Sequence, residues 1–308
     1  MRIGISVSSS YPGLSAGESA GLAARDGARF MVERARAARQ ADLDSLFVGD
    51  HHVTPTPYFQ NTAILARMLA EWGNKPCGAL YLLPLWHPVL LAEQIATLAS
   101  IAQGPFIMQC GLGGDPRQAA GMGTSLNNRV ARFEASLTIM RQLWAGETVS
   151  AQAPWSFDKA RISPLPPEPI DVWIGAQADR AIRRTAQMAE GWLASPGLTP
   201  EQAAQGIGRY RQACAEFNRA PAAVAIRRDI YVGKTAEQAR AVAQPYLDAG
   251  YRGFSEQSLV VGSAEQVAEQ FRTLADMGYT DVIVRNLTAD QSEAIGCIER
   301  LADVKALL

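Results

Sequence analysis

Asp50, His51 and His52 form the group in the chain best suited to proton transfer, and they include two of its three histidines. Imidazole titrates near neutrality, and a neighbouring carboxylate raises its pKa or fixes its tautomer. A metal site needs further ligands at suitable spacing, and His87 is the one other histidine. The triplet therefore favours catalysis or cofactor contact over metal binding, with a purely structural role as the alternative.

Small residues follow two of the apolar runs in the chain, and glycine lets a flat or anionic ligand approach the backbone closely. The first such turn is Gly111-Leu112-Gly113-Gly114. Pro116 stands where the dinucleotide-binding motif GxGxxG has its third glycine, and the chain has no GxxxxGK[ST] motif. The turn thus indicates a ligand-facing loop, and it disfavours Rossmann and P-loop folds.

The second turn, Gly175-Ala176-Gln177, leads into a predicted helix over residues 180–188. Free backbone amides and the helix dipole at such a start can hold a phosphate or a carboxylate. Equally, Asp179 can cap the helix. His87 precedes Pro88, which fits the first turn of another helix, and both a turn-ordering and a ligand-facing role are open for His87.

The elements that position these residues alternate along the chain. Strands that are apolar on both faces, separated by helical patterns, are typical of a parallel sheet covered by helices. Eight such units favour a closed (β/α)8 barrel, in which residues at the carboxyl ends of the strands form the active site. The predicted strands are residues 2–7, 45–49, 77–83, 105–110, 171–175, 191–195, 225–232 and 281–285.

Two irregular inserts, residues 148–169 and 249–261, interrupt this alternation, and the first contains five prolines. Long inserts in compact domains are often lids or binding loops, so we expect both near the ligand, with surface decoration as the alternative. Trp155 in the first insert is the better lid residue, whereas core packing is the default for Trp192. No linker divides the chain, which predicts a single domain over residues 1–308.

The composition narrows the function classes. With 29 Lys and Arg against 30 Asp and Glu, the 308-residue chain has a formal charge of −1, which argues against nucleic-acid or anionic-membrane partners. Its four cysteines are scattered without CxxC pairs, so neither disulfides nor a zinc site is expected. No signal peptide or membrane-spanning stretch is recognisable, and we expect a cytoplasmic protein.

The order and spacing of several motifs resemble the bacterial luciferase-like oxidoreductases, the superfamily of FMN-dependent monooxygenases and coenzyme F420-dependent oxidoreductases. The resemblance covers nearly the whole chain. The motifs that carry it are FVGDHH (47–52), LPLWHPVLLAEQIATL (83–98), GLGG (111–114) with GMG (121–123), NNRVARFEASLTIMRQLWAGE (127–147), WIGAQADRAIRRTAQMAEGW (173–192) and GSAEQVAEQFRTLADMGYTDVIV (262–284).

The resemblance implies a (β/α)8 barrel with an insertion after helix 4, often dimeric, that binds a flavin or deazaflavin ring at the carboxyl ends of the strands. Asp50 and His51 match the family's acidic-His pair, which works beside the ring. Alignment on the HPV motif implies a non-proline cis peptide at Ala79-Leu80. The cofactor-binding residues that the resemblance implies are Asp50, Ala79, Leu80, Gly111, Gly113, Gly175, Ala176 and Gln177.

The resemblance leaves two cofactors open. Asp directly before His51 is more typical of the F420 branch, which implies hydride transfer to or from a small organic substrate. The alternative is an FMN monooxygenase that inserts oxygen through a C4a-peroxyflavin. Such an enzyme would need a separate flavin reductase to supply its reduced FMN. A non-catalytic flavin-binding barrel is a further alternative. An aldolase or isomerase would need a strand-borne lysine, and Lys75 stands at the wrong end of its strand.

Overall fold

Eight parallel strands close into a barrel, as the sequence predicted. The structure is a computed structural model that describes residues 1–7, 20–55 and 57–308, with the backbone alone described at 20–23. All eight predicted runs form barrel strands, whose ends lie within two residues of the predicted ones. In the numbering below, the ring order is β1-β2-β3-β4-β7-β8-β9-β11, and β11 pairs with β1 to close it.

The described residues contain eleven strands and ten α-helices. The strands are β1 (Arg2–Val7), β2 (Ser45–Val48), β3 (Cys77–Leu82), β4 (Phe106–Gly111), β5 (Val149–Ala151), β6 (Phe157–Ala160), β7 (Asp171–Gly175), β8 (Gly191–Ala194), β9 (Ala223–Val232), β10 (Val260–Gly262) and β11 (Asp281–Asn286). The helices are α1 (Ala20–Gln40), α2 (Asn61–Trp72), α3 (Pro88–Ile101), α4 (Pro116–Gly121), α5 (Arg129–Trp144), α6 (Asp179–Met188), α7 (Pro200–Glu216), α8 (Ala236–Asp248), α9 (Ala264–Met277) and α10 (Gln291–Ala306).

The barrel interior is filled by one apolar layer. Its members alternate along their strands with residues that face the helices, because successive side chains of a strand point to opposite sides. Gly78 allows β3 to approach β4 closely, since a Cβ atom there would lie 1.8 Å from the carbonyl oxygen of Ile107. The buried residues of the layer are Phe47, Ile107, Trp173, Ala225 and Ile283.

A larger apolar core lies between the strands and the surrounding helices, and it includes Trp192 as expected. Helix α7 illustrates how the sequence fixes a helix start: Thr199 and Gln202 form a reciprocal capping box, and Pro200 occupies the first turn. No helix among the described residues is long and apolar enough to span a membrane.

The first insert packs on the outer helices, and its lid role stays a prediction. Its antiparallel hairpin β5–β6 brings Trp155 against helix α5, where the indole nitrogen donates to Ser136 Oγ at 2.9 Å. The Arg132 guanidinium lies 3.9 Å from the centre of the indole ring, and the His87 ring lies 5.4 Å from it. Trp155 is 8% exposed, so it is fixed by packing outside the barrel, and His87 serves this packing as the N-cap residue of α3.

The second insert does reach the carboxyl end of the barrel, and it is longer than predicted. Helix α8 precedes it and packs on β9 and β10, while α9 lies between α7 and α10 and leads into β11. Strand β10 extends the sheet by pairing with residues 230–232 at the end of β9. The second insert therefore includes α8 and β10 and spans the whole connection from β9 to α9.

Candidate functional site

The carboxyl ends of the barrel strands, here called the mouth, combine an uncharged and a charged half. The members of the apolar layer are Phe47, Ile107, Trp173, Ala225 and Ile283. The side chains of a strand point alternately inward and outward, so the inward-facing residues of the mouth lie two and four positions beyond the members of that layer. On β2, β3, β4 and β7 they are small, apolar or amide-bearing: Gly49, Leu80, Leu82, Gln109, Gly111 and Gly175. On β9 and β11 they are Arg227, Asp229 and Arg285.

Asp50 is held rigidly just after β2. One carboxylate oxygen accepts hydrogen bonds from the backbone N–H of Leu82 and from the indole nitrogen of Trp86, both at 2.8 Å. The other oxygen lies 3.1 Å from His52 Nε2. The Asp50 side chain is 1% exposed, so its contacts bind the end of β2 to the end of β3.

This geometry corrects the predicted pairing of Asp50 with His51. The carboxylate contacts His52, whose ring is buried and packs edge-on against Trp86 at 5.3 Å. His51 faces away from this cluster, because consecutive residues of an extended segment point to opposite sides. Asp50 thus influences His51 through its charge rather than through a hydrogen bond.

Gln118 of helix α4 is the residue that orients His51, and the sequence analysis missed it. Its amide oxygen accepts the backbone N–H of His52 at 3.2 Å, and its amide nitrogen lies 3.0 Å from His51 Nδ1. Since the amide nitrogen can only donate, Nδ1 accepts, and the neutral imidazole carries its proton on Nε2. Gln118 is 7% exposed, so its amide is shielded from solvent, whereas the His51 ring is half-buried.

The surroundings of His51 favour its neutral form. Burial lowers the pKa of His51 below its usual value of 6.5, and the charges of Asp115 and Asp50 offset part of the effect. The ring of Tyr58 lies 5.4 Å away, centre to centre. His51 is therefore a neutral imidazole at physiological pH that can donate a hydrogen bond from Nε2.

The glycines of the mouth leave room for a flat ligand. A Cβ atom at Gly111 or Gly175 would approach no atom outside the adjacent residues more closely than 3.5 Å, so protein packing does not require glycine there, whereas the positive φ of 64° at Gly113 favours glycine by itself. Their missing side chains leave open space before the backbone, beside the inward Leu80. The residues present thus fit a planar flavin or deazaflavin ring.

The Ala79-Leu80 peptide is trans, contrary to expectation. The cis peptides among the described residues are Ala153-Pro154 and Ser163-Pro164. Strand β3 pairs residue by residue with β4 from Cys77 to Leu82, a regular parallel ladder that holds extended trans backbone throughout. The Ala79 side chain is fully buried in the core between strands and helices, so Leu80 is the residue of this pair that faces the barrel interior.

The turn after β7 places its residues differently from one another. Gln177 is exposed, whereas Ala176 is buried and its carbonyl accepts the Trp192 indole N–H at 2.8 Å. Asp179 is the first residue of α6 and pairs with Arg209 at 2.8 Å, so it does not cap the helix. The N-cap residue Ala178 has no side-chain acceptor and its carbonyl accepts the Ala181 N–H, which leaves the amides of Asp179 and Arg180 for another acceptor.

A second group that the sequence analysis missed forms the charged half of the mouth. Asp229, fully buried, accepts hydrogen bonds from Arg227 Nε at 3.1 Å and from the Tyr251 hydroxyl at 2.9 Å, and Arg252 Nη1 lies 3.6 Å away. Burial lowers the pKa of Arg227 to about 10, and the charge of nearby Arg285 contributes to the lowering. The sequence signal that could have identified this group is the presence of charged residues at alternate positions inside otherwise apolar strands.

Comparisons with known proteins agree with this barrel. The chain matches the model of the luciferase-like monooxygenase family over residues 1–257. An F420-dependent glucose-6-phosphate dehydrogenase of Nakamurella multipartita is 28% identical over 181 residues, which are 55% of this chain and 53% of that protein. The chain thus spans about half the length of the curated relatives it matches.

Two solved structures share the fold over nearly their full lengths. An F420-dependent secondary alcohol dehydrogenase in complex with an F420-acetone adduct superposes with a TM-score of 0.80, at 15% identity, over 99% of this chain and 98% of that one. The oxygenating constituent of 3,6-diketocamphane monooxygenase from Pseudomonas putida, in complex with FMN, superposes with a TM-score of 0.81, at 17% identity, over 98% and 97%.

Proposed function

Because the chain belongs to the luciferase-like monooxygenase family, we propose that it is an oxidoreductase that uses coenzyme F420 or FMN, with F420-dependent hydride transfer to or from a small organic substrate as the favoured reaction. The observation that carries the proposal is a neutral, oriented His51 beside a glycine-lined wall. The F420-dependent relative supports the choice of cofactor.

Leu80, Gly111, Gly113 and Gly175 would lie against the cofactor ring, and the open amides of α6 would hold an anionic group of its side chain. When bound, F420 supplies a hydride donor or acceptor, and FMN supplies a ring that activates oxygen. His51 would donate a hydrogen bond from Nε2 to the substrate oxygen and stabilise negative charge that develops there. Asp50 and His52 would keep the supporting loop fixed.

FMN-dependent monooxygenation is the second candidate function, and the shared fold with the FMN-bound monooxygenase favours it. A homodimer and, for FMN, a separate flavin reductase belong to the proposal. Aldolase chemistry finds no support at Lys75, which contacts Asp42 and the carbonyl of Leu43 at the amino-terminal end of β3.

Fluorescence titration of the purified protein with F420 and with FMN tests the proposal. We expect saturable binding of one of them, followed by its oxidation or reduction with a panel of secondary alcohols, ketones and sugar phosphates. His51→Ala should keep cofactor binding and lose turnover by roughly 10²-fold or more, since it removes the hydrogen-bond donor. Binding of neither cofactor, or full turnover by His51→Ala, would contradict the proposal.

A further inference from the structure

Among the described residues of the charged half of the mouth, three guanidinium groups and the Tyr251 hydroxyl lie around the Asp229 carboxylate. Arg227 and Arg252 share Asp229, whose second oxygen also accepts the Tyr251 hydroxyl. Arg227 Nη2 is buried and has no hydrogen-bond partner among the described residues. Arg285 adds positive charge beside the pair.

A second buried donor faces the same lumen. Gln109 lies on β4 one alternation above Ile107, it is 5% exposed, and its Nε2 atom also lacks a partner among the described residues. Leaving a buried donor unsatisfied costs about 1–3 kcal/mol, more for a charged group. A ligand or ion that supplies the acceptors is one physical explanation for such donors.

We propose that Arg227, Arg252 and Arg285 form an anion-binding site at the mouth that holds a carboxylate or phosphate group of the substrate. This inference rests on the proposed function. Guanidinium groups offer several fixed donors that match the oxygens of such groups. Tyr251 and Asp229 orient the arginines, so the second insert completes the site.

The position of the site sets the kind of substrate. Strands β11 and β9 stand two and three places from β2 around the barrel, which is roughly 10–15 Å along the wall at about 4.8 Å per strand. The substrate would therefore carry its anionic group at one end and its reacting carbon near His51 at the other. The cofactor's own phosphate is the alternative source of the same chemistry.

Calorimetric titration with inorganic phosphate at constant ionic strength tests the site, using the unliganded and the cofactor-loaded protein. We expect Arg227→Gln to weaken phosphate binding roughly tenfold or more, because it removes a charge-assisted contact. Arg252→Gln, at a partly exposed position, keeps the Arg227–Asp229 pair and should weaken binding by a smaller factor. Arg36→Gln, on the outer helix α1 where Arg36 pairs with Glu71, is the matched control and should change nothing.

Comparison of the unliganded and the cofactor-loaded protein distinguishes a substrate anion from the cofactor's own phosphate. Phosphate binding that persists in the cofactor-loaded protein, with unchanged cofactor affinity in Arg227→Gln, supports a substrate group. Loss of phosphate binding on cofactor loading assigns the site to the cofactor and overturns the substrate assignment. Equal phosphate affinity in all variants, or no phosphate binding to the unchanged protein, overturns the site itself. Cofactor titration reports separately on the proposed function.

Discussion

His51 and His52 are adjacent in the sequence, yet they contact different partners. His52 lies beside the buried Asp50 carboxylate, which fixes the ends of β2 and β3 together. His51 is instead oriented by the Gln118 amide, which binds one histidine through its side chain and the other through its backbone. The carboxylate therefore supports the loop, and the amide selects the tautomer of His51.

Gln118→Glu tests this selection of tautomer. A carboxylate beside Nδ1 accepts a hydrogen bond from a protonated Nδ1 and stabilises the imidazolium. The pKa of His51 should therefore rise relative to the unchanged protein. Nitrogen-15 NMR of the histidine rings should show the Nε2–H tautomer in the unchanged protein and the Nδ1–H tautomer in the variant.

Gln118→Leu, which removes the amide without adding charge, is the control and should leave the tautomer unspecified. An unchanged His51 pKa in Gln118→Glu would show that the amide does not orient the ring.

The lowered pKa of His51 also predicts the pH dependence of stability. Burial lowers the folded value below 6.5, so the unfolded chain binds the proton first as the pH falls. His51 then favours unfolding below about pH 6.5 and has no such effect well above it. Urea unfolding of the unchanged protein should therefore lose more stability between about pH 7.5 and about pH 5 than unfolding of His51→Gln. Equal losses would contradict the burial of the ring.

At the scale of the elements, strands were more predictable than inserts. Runs such as Ser45–Val48 are apolar on both faces, and that pattern alone identifies a strand of a helix-covered parallel sheet. The pairing of Asp50 with His52 was not predictable, because side-chain direction in a loop depends on contacts from distant elements. Gln118 lies 67 residues from His51, and no local pattern links them.

The hairpin β5–β6 shows why insert length is a weak guide to function. Proline-rich inserts can be lids, but this one places Trp155 in a cage formed by Arg132, Ser136 and His87 on the outer helices. The hairpin is ordered by aromatic and cation–π contacts. Such contacts stabilise packing anywhere in a protein and do not indicate a binding function. The hairpin therefore covers part of the helices α3 and α5.

Trp155→Ala should therefore reduce the free energy of unfolding by about 3 kcal/mol, because it empties a buried aromatic site. Trp155→Phe keeps most of the packing but loses the hydrogen bond to Ser136, and a loss of about 1 kcal/mol is expected. Chemical denaturation gives both values. Cofactor affinity should be unchanged in both variants; a large loss of affinity with intact stability would restore a lid role.

At the scale of the molecule, the barrel separates uncharged and charged walls around one mouth. The near-zero net charge means that no overall field draws an anion to the protein, so anion binding depends on local placement of arginines. The charged wall is supplied by late strands and by the second insert, and the glycines of the mouth by earlier strands. The two walls adjoin across the closing pairing of β11 with β1.

The four cysteines provide a test of whether the chain unfolds as the single domain predicted from its sequence. Cys77 and Cys110 lie on β3 and β4, Cys214 on α7 and Cys297 on α10, and all are buried. Burial also raises the pKa of Cys77 to about 12 and that of Cys297 to about 11, which suppresses the reactive thiolate.

Thiol labelling across a urea series, with each site quantified by mass spectrometry, should therefore show almost no reaction in the native protein. All four cysteines should become reactive at one denaturant midpoint, because opening the ring breaks the packing of both halves together. The reagent is specific for thiols, so exposed Lys or Arg side chains do not affect this measurement. Reduced peptide standards give the labelling rate of a fully exposed cysteine. Separate midpoints for the pair on β3 and β4 and the pair on α7 and α10 would mean that the halves of the barrel unfold independently.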